Sequence, residues 1–305
     1  MRLAFPQPVP RGVLVLMLVA LGLIWSGTFS LARIGADAGI APLGYGFWFL
    51  CGVGLGLSGL GLAQGSRPTR LPGLGRFVLI GGLGIGAIPS LAMFTSVRHI
   101  PTGLMAVIIT LGPMLTYAAA LAAGQERFVR LRALGMLAGL AGVALIVLPR
   151  SSLPDPALLG WVAFAFLTPA VNAVASVYVA QARPAGLDSW MTGGMFQLVS
   201  AAVVLPIALV TGQFHVPLTA TTAGEIALAC HILGGIASQF LMFELLRLAG
   251  PVFLSQTAYI VTLGGIVWGW LVFGERLGPF VWLAAGVVAL GVLLVTRGGA
   301  AARRR

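Results

Sequence analysis

Ten continuous apolar runs, each close to 20 residues long, constrain this chain more than any other feature of its sequence. A helix that crosses the hydrocarbon core of a bilayer needs about 20 mainly apolar residues. The runs lack the strict alternation of a barrel strand, so each run predicts a helix, and the chain is expected to be an all-α polytopic membrane protein with ten transmembrane helices. Spans one to ten cover residues 13–33, 42–63, 76–97, 102–123, 133–149, 157–180, 190–211, 224–246, 251–273 and 279–296.

The composition leaves no room for a water-soluble domain beside these spans. Only 8% of the 305 residues are charged, whereas soluble domains average about 25%. Ten spans use about 200 residues, so the connections are short and no extramembrane catalytic domain fits. The net charge of +11 comes from arginines scattered between apolar runs, which is not the pattern of a nucleic-acid-binding surface. The expected partners are therefore membrane lipid and a small-molecule substrate, and not nucleic acid.

The distribution of arginine predicts the orientation of the chain. With a cytoplasmic N-terminus, fourteen arginines fall in cytoplasmic segments and four fall outside, namely Arg33, Arg98, Arg150 and Arg276. Cytoplasmic loops of membrane proteins carry an excess of arginine and lysine. We therefore expect both termini in the cytoplasm. The protein is expected to lie in the bacterial cytoplasmic (inner) membrane, as a monomer or a homodimer.

The second half of the sequence repeats the first. The segments GLMAVIITLGPMLTYAAALAAGQER and GPVFLSQTAYIVTLGGIVWGWLVFGER end with the pairs Glu126-Arg127 and Glu275-Arg276, which are 149 positions apart. Gly142 and Gly291 in the next spans keep that offset. Each half holds five spans, an odd number, so the two halves are expected to insert with opposite orientations. Inverted repeats of this kind enclose a midplane site in secondary transporters. The predicted repeats are residues 13–149 and 157–296.

Several motifs point to a known family. They are LIWSGTF at Leu23–Phe29, a Gly-rich span after it, the GQER and FGER ends with the apolar spans that follow them, and FELLRLAGPVFLS at Phe243–Ser255. Each half thereby resembles the EamA-type repeat of the drug/metabolite transporter superfamily, over residues 13–296. The resemblance implies a ten-helix carrier, without a cofactor, that exports small polar metabolites, above all amino acids or their derivatives, by alternating access.

Polar residues in the middle of spans four and nine are the first candidates for a substrate site, because an unpaired polar group in hydrocarbon is costly. Ser255, Tyr259 and Thr262 fall at i, i+4 and i+7 of span nine, on one helical face. The repeat offset maps Tyr259 onto Thr110 in span four, so two related helices present polar centres at matching depth. Packing between helices is the alternative role for these hydroxyl groups.

Spans six and one add further substrate-binding candidates. Thr168 and Asn172 lie one turn apart in span six, on either side of Pro169, and an amide is costly to bury without partners. Trp25 and Ser26 lie near the middle of span one. A tryptophan at that depth is away from the interfacial belt where this residue is common, which favours a place in a cavity wall.

Span eight contains His231, with Ser238 at i+7 and Gln239 about 100° further round the helix. His231 and Gln239 are predicted to bind the substrate. A proton-relay role for His231 competes with that of a neutral, hydrogen-bonded histidine.

Every acidic residue lies at or near a span end, and Glu244 is expected to pair with Arg247 three residues on. No catalytic or metal-ligating set is predicted.

The sequence therefore favours a secondary carrier for small polar metabolites that works by alternating access around a midplane cavity. A drug efflux carrier or a lipid flippase on the same scaffold is the main alternative, since both also use a cavity between helices. A membrane-embedded lipid-modifying enzyme is less favoured, because it needs a nucleophile or a metal constellation.

Overall fold

The computed structural model describes residues 9–66, 71–96, 108–109, 111–147 and 159–261, together with scattered positions between 264 and 295. Regular structure in this part of the chain is helical throughout, which agrees with the predicted all-α class. The helices are α1 (Arg11–Asp37), α2 (Pro42–Ala63), α3 (Leu74–Gly81), a π-helical segment (Gly82–Ala87), α4 (Ile88–Ser96), α5 (Gly112–Ala122), α6 (Arg130–Val147), α7 (Leu159–Ala182), α8 (Ser189–Val210), α9 (Thr222–Ala249) and α10 (Pro251–Ser255).

Six helical stretches of the described chain are long and apolar enough to cross a membrane. They correspond to spans one, two, three, six, seven and eight of the sequence. Span three is continuous from Leu74 to Met93, because α3, the π-helical segment and α4 follow one another without a break. The last part of span nine and most of span ten lie outside the described residues.

Within the described residues, helices α2 and α8 form the most extensive contact between two elements. Two glycines permit this close approach. A Cβ atom on Gly194 would lie 2.8 Å from the backbone nitrogen of Ser58, and one on Gly54 would lie 3.0 Å from the backbone nitrogen of Leu198. Helix α1 packs along α9, while α4 packs along α7. Small residues commonly allow membrane helices to pack this closely.

The π-helical segment Gly82–Ala87 directly precedes the proline of α4, Pro89. A proline inside a helix has no N–H to donate, and its ring clashes with the carbonyl group four residues earlier. Widening the preceding turn relieves that clash, and the extra residue changes which side of the helix the following residues occupy. Gly84 of this segment lies against Ala175 of α7, and Gly86 lies against Ser200 of α8.

A buried polar network ties the α7–α8 connection to the end of α9. Arg183 donates from Nη2 to the Ser189 hydroxyl at 3.1 Å, and that hydroxyl donates to Oε1 of Glu244 at 2.7 Å. Arg247 donates to Oε2 of Glu244 at 2.6 Å, so the ion pair expected from the sequence is confirmed. Burial lowers the pKa of Arg183 to about 10, and Glu244 opposes this effect, so the guanidinium remains charged at neutral pH.

Candidate functional site

A cavity of about 320 Å³ lies between helices from both halves of the chain. Its walls come from α1, α4, α5, α7, α9 and α10, and α2 contributes Phe49. Of the ten residues predicted to bind a substrate, six border this cavity: Trp25, Thr168, Asn172, His231, Gln239 and Ser255. Candidate residues that the sequence places on separate spans thus border one cavity.

Ser26 lies outside the cavity, contrary to its predicted place. Its hydroxyl donates to the backbone carbonyl of Leu23 at 2.9 Å, and its side chain packs against Gly264 with 1% of its surface exposed. Neighbouring residues on a helix project about 100° apart. Because Trp25 faces the cavity, Ser26 is turned towards the adjacent span.

Tyr259 also lies outside the cavity, since it is fully buried against α6. Its hydroxyl donates to the backbone carbonyl of Met136 at 3.1 Å, and its ring packs on Gly139. The cavity face of this helical stretch runs through Leu254, Ala258 and Val261, with Ser255 at its edge, and Tyr259 projects about 100° away from Ala258. Ser255 therefore borders the cavity while Tyr259 does not. The other two predicted residues, Thr110 and Thr262, lie outside the described residues.

The repeat offset of 149 positions, taken from Glu126 and Glu275, also relates the two sides of the cavity wall. Pro89, Ser90 and Met93 of α4 border the cavity, and adding 149 to their numbers gives three cavity residues of α9, namely Ser238, Gln239 and Met242. Ile109 and Gly112 correspond in the same way to Ala258 and Val261. Ser90 was not among the predicted residues, although the offset that maps it onto Gln239 is present in the sequence.

Most hydroxyl groups of the cavity wall donate to carbonyl groups of their own helices. Thr28 donates to the backbone oxygen of Trp25 at 2.6 Å, and Thr116 donates to that of Gly112 at 2.8 Å. Ser238 and Ser255 donate in the same way, three residues back. Thr168 instead reaches the backbone oxygen of Pro89 at 3.3 Å and so joins α7 to α4.

The amide side chains retain capacity for a ligand. The Oδ1 atom of Asn172 accepts a hydrogen bond from Ser176 at 3.2 Å, and its amide nitrogen has no partner among the described residues. The Oε1 atom of Gln239 is buried and has no donor in the described part of the chain. A buried acceptor without a partner is costly. Gln239 is therefore the residue of the cavity that most favours binding a group with an N–H or O–H donor.

His231 is held in place at the cavity by two aromatic residues of α2. Its Nδ1 atom lies 2.9 Å from the hydroxyl oxygen of Tyr45, and its ring centroid lies 4.3 Å from that of Phe49. Tyr45 was not among the predicted residues, because its contact with His231 joins residues 186 positions apart and no local sequence pattern indicates it.

The described cavity wall contains no Asp, Glu, Lys or Arg side chain. Within the same part of the chain, no group of three or more His, Cys, Asp or Glu residues is arranged to hold a metal ion. The cavity therefore presents hydroxyl, amide, imidazole and indole groups in a mainly apolar wall. Such a wall suits a ligand with an apolar body and no net charge.

Comparisons with known proteins agree with this architecture. The model of the EamA-like transporter family matches residues 12–148 and again residues 159–297. YedA of Escherichia coli K12, an uncharacterized inner membrane transporter, is 28% identical over 283 residues, which cover 92% of this chain and 90% of YedA. YedA from E. coli O157:H7 matches equally well. A protein of known crystal structure has the same fold, with a TM-score of 0.77 at 21% identity over 97% of this chain and 99% of its own.

Proposed function

The chain belongs to the EamA-like transporter family, and from this premise we propose that it is a secondary carrier that exports small zwitterionic metabolites, most of all amino acids or their derivatives. It is an integral, multi-pass protein of the inner membrane, as its apolar helices and its similarity to an inner membrane transporter indicate. In the proposed arrangement, ten spans form two inverted five-span repeats, both termini are cytoplasmic, and the cavity between the repeats opens alternately to each side.

The packing of the helices supports the inverted-repeat arrangement. A two-fold exchange of the repeats replaces each span by the one five places along the chain. The exchange turns the contact of α1 with α9 into that of α7 with α4, and both contacts are present. It also maps the central contact of α2 with α8 onto itself. The cavity residues that match at an offset of 149 positions follow the same exchange.

The uncharged cavity wall is the observation that carries the choice of substrate. A buried ion without a counter-charge or hydrogen bonds is strongly destabilised. A zwitterion carries no net charge, and its ammonium and carboxylate groups can bond to the amides and the imidazole of the wall. For a drug cation, the described wall provides aromatic and amide groups but no carboxylate. This difference favours amino acids over cationic drugs.

Counterflow in proteoliposomes tests the proposal. Purified protein is reconstituted in vesicles loaded with a mixture of unlabelled L-amino acids, and uptake of the same radiolabelled mixture is measured. We expect saturable uptake that a quaternary ammonium drug does not inhibit. Scrambling of labelled phospholipid without amino-acid flux, or counterflow of the drug cation alone, would contradict the proposal and favour a flippase or a drug carrier.

A matched pair of variants shows whether the flux passes through this cavity. Thr168→Val removes a hydroxyl that borders the cavity, whereas Thr211→Val removes one at the exposed end of α8 that donates only within its own helix. We expect the first change to reduce the counterflow rate about threefold to tenfold, since it removes one hydrogen bond, and the second to leave the rate unchanged. Equal rates for the two variants would place the transport route elsewhere.

A further inference from the structure

We propose that Tyr45 is a positioning residue that holds His231 as the Nε2–H tautomer, so that His231 offers one neutral N–H donor to a carboxylate or carbonyl oxygen of the transported molecule. The inference rests on the proposed function for the identity of the ligand. The role of Tyr45 itself rests on the geometry of the pair.

The hydroxyl group of Tyr45 determines where the imidazole proton lies. Tyr45 is 3% exposed, and its ring packs on Gly35 of α1. Within the described chain, its hydroxyl has one hydrogen-bond partner, the Nδ1 atom of His231 at 2.9 Å. A buried hydroxyl proton needs an acceptor, and Nδ1 can accept only when it carries no proton of its own. The proton of the neutral ring is therefore on Nε2.

The Nε2–H group is left for a ligand. No described residue bonds to Nε2, and the side chain borders the cavity. Contact with Phe49 restricts rotation of the ring about its remaining bonds. A neutral N–H donor suits the oxygen atoms of a zwitterion, because it satisfies them without adding net charge to the cavity.

The two halves of the carrier differ at this point. Subtracting the repeat offset of 149 from His231 gives Gly82, which begins the π-helical segment and packs against Val199 of α8. The imidazole donor thus has no counterpart in the first repeat. A substrate whose acceptor group binds His231 is therefore held closer to the second repeat. The binding site is asymmetric at this point, although the repeats around it are related by a two-fold axis.

The tautomer can be measured without any transport assay. Full-length protein with ¹⁵N-labelled histidine is examined in lipid bilayers by magic-angle-spinning NMR at about pH 8, where an ordinary imidazole is neutral. The protein has three histidines, and loss of a signal in His231→Gln assigns the spectrum. We expect His231 to show a protonated Nε2 and a bare, hydrogen-bonded Nδ1. Tyr45→Phe should convert this signal to a mixture of tautomers.

Tyr178→Phe is the matched control, because Tyr178 is a half-buried tyrosine of α7 that packs against Phe77 and does not border the cavity. It should leave the His231 signal unchanged. A protonated Nδ1 in the unsubstituted protein, or an unaltered signal in Tyr45→Phe, would overturn the positioning role, whatever the protein transports.

The donor role is tested with two replacements of His231 in counterflow of the L-amino-acid mixture. Glutamine places an N–H group near the position of Nε2, whereas asparagine places one near Nδ1 and leaves the cavity without the donor. We expect His231→Gln to stay within about threefold of the unsubstituted rate and His231→Asn to fall at least about tenfold. Adding Tyr45→Phe to His231→Gln should have little further effect.

Equal transport by the two His231 variants would overturn the donor role. Failure of the unsubstituted protein to transport any amino acid would overturn the ligand assignment together with the proposed function. The NMR spectrum would still decide whether Tyr45 sets the tautomer.

Discussion

Two buried tyrosines in this protein, Tyr45 and Tyr259, have different hydrogen-bond partners. The hydroxyl of Tyr45 bonds to a histidine of the cavity, whereas that of Tyr259 bonds to the backbone oxygen of Met136 and has no access to the cavity. The same residue type therefore supports a ligand site in one place and joins two helices in the other. Neither tyrosine borders the cavity, so the hydrogen-bond partner of the hydroxyl group distinguishes the two roles.

This difference predicts unequal effects of two substitutions. Tyr259→Phe should keep counterflow within about twofold of normal and reduce stability by about 1 kcal/mol, since it removes one buried hydrogen bond. Asn172→Leu should reduce counterflow at least about tenfold, because it removes an amide from the cavity wall, with a small change in melting temperature. Counterflow and thermal unfolding of the purified variants measure both. Loss of transport in Tyr259→Phe alone would contradict this assignment.

The carboxylate of Glu244 is predicted to stabilise the fold. It is 5% exposed and lies between Ser189 and the guanidinium of Arg247. Glu244→Gln removes the carboxylate that lies between the cations Arg183 and Arg247 and leaves Asp188 as the nearby counter-charge of Arg183. The expected cost is about 2 kcal/mol, below that of a fully buried pair because Arg247 is partly exposed.

The melting temperature of the purified protein measures this cost. Asp37→Asn, an exposed acidic residue at the end of α1, serves as the control and should leave the melting temperature unchanged. An equal effect of the two substitutions would mean that the network contributes little to stability.

At the level of helices, glycine determines how closely α2 and α8 approach. The contact is the largest between two elements of the described chain, and it lies where the proposed two-fold axis passes. The atoms that a Cβ on Gly194 would meet include backbone, which cannot rotate away as a side chain can. The spacing of this helix pair therefore depends on the absence of a Cβ atom at Gly194 as well as at Gly54.

Gly194→Ala should consequently separate the two helices and lower the melting temperature by several degrees, with weaker counterflow. Gly59→Ala is the matched control, because Gly59 lies on α2 with open space around its Cβ position. Alanine there should be neutral or stabilising by up to about 1 kcal/mol, since it favours the helix more than glycine does. A neutral Gly194→Ala would mean that α8 can move without consequence.

At the scale of the whole molecule, the proposed topology assigns each connection to one side of the membrane. Ala123 lies in the exposed connection after α5, which is predicted to be cytoplasmic, and Val216 lies in the exposed connection between α8 and α9, which is predicted to be external. Both positions accept a cysteine without loss of a buried contact, in a background in which Cys51 and Cys230 are serine.

An impermeant maleimide should therefore label Val216→Cys in intact cells and Ala123→Cys only after the membrane is permeabilised. Labelling intensity on a gel measures the difference. Equal labelling of the two positions in intact cells would contradict the proposed orientation.

The fold class and much of the cavity could be predicted from the sequence, because hydropathy and helical spacing are local properties. Thr168 and Asn172 were identified as a pair one turn apart, and both border the cavity. Tyr259 lies outside the cavity although it follows Ser255 by four residues, because Ser255 is at the edge of the helical face that borders the cavity. Tyr45 could not be found in this way, since its partner His231 is distant in sequence.

Most hydroxyl groups of the cavity wall donate to helix carbonyl groups and therefore need no solute as a hydrogen-bond partner. The amide groups of Gln239 and Asn172 and the Nε2 atom of His231, by contrast, have no partner among the described residues, so an empty cavity leaves them unpaired. In the proposed carrier, exchange should therefore run faster than net efflux, because a buried polar group without a partner is costly and the solute-free carrier must move with these groups unpaired.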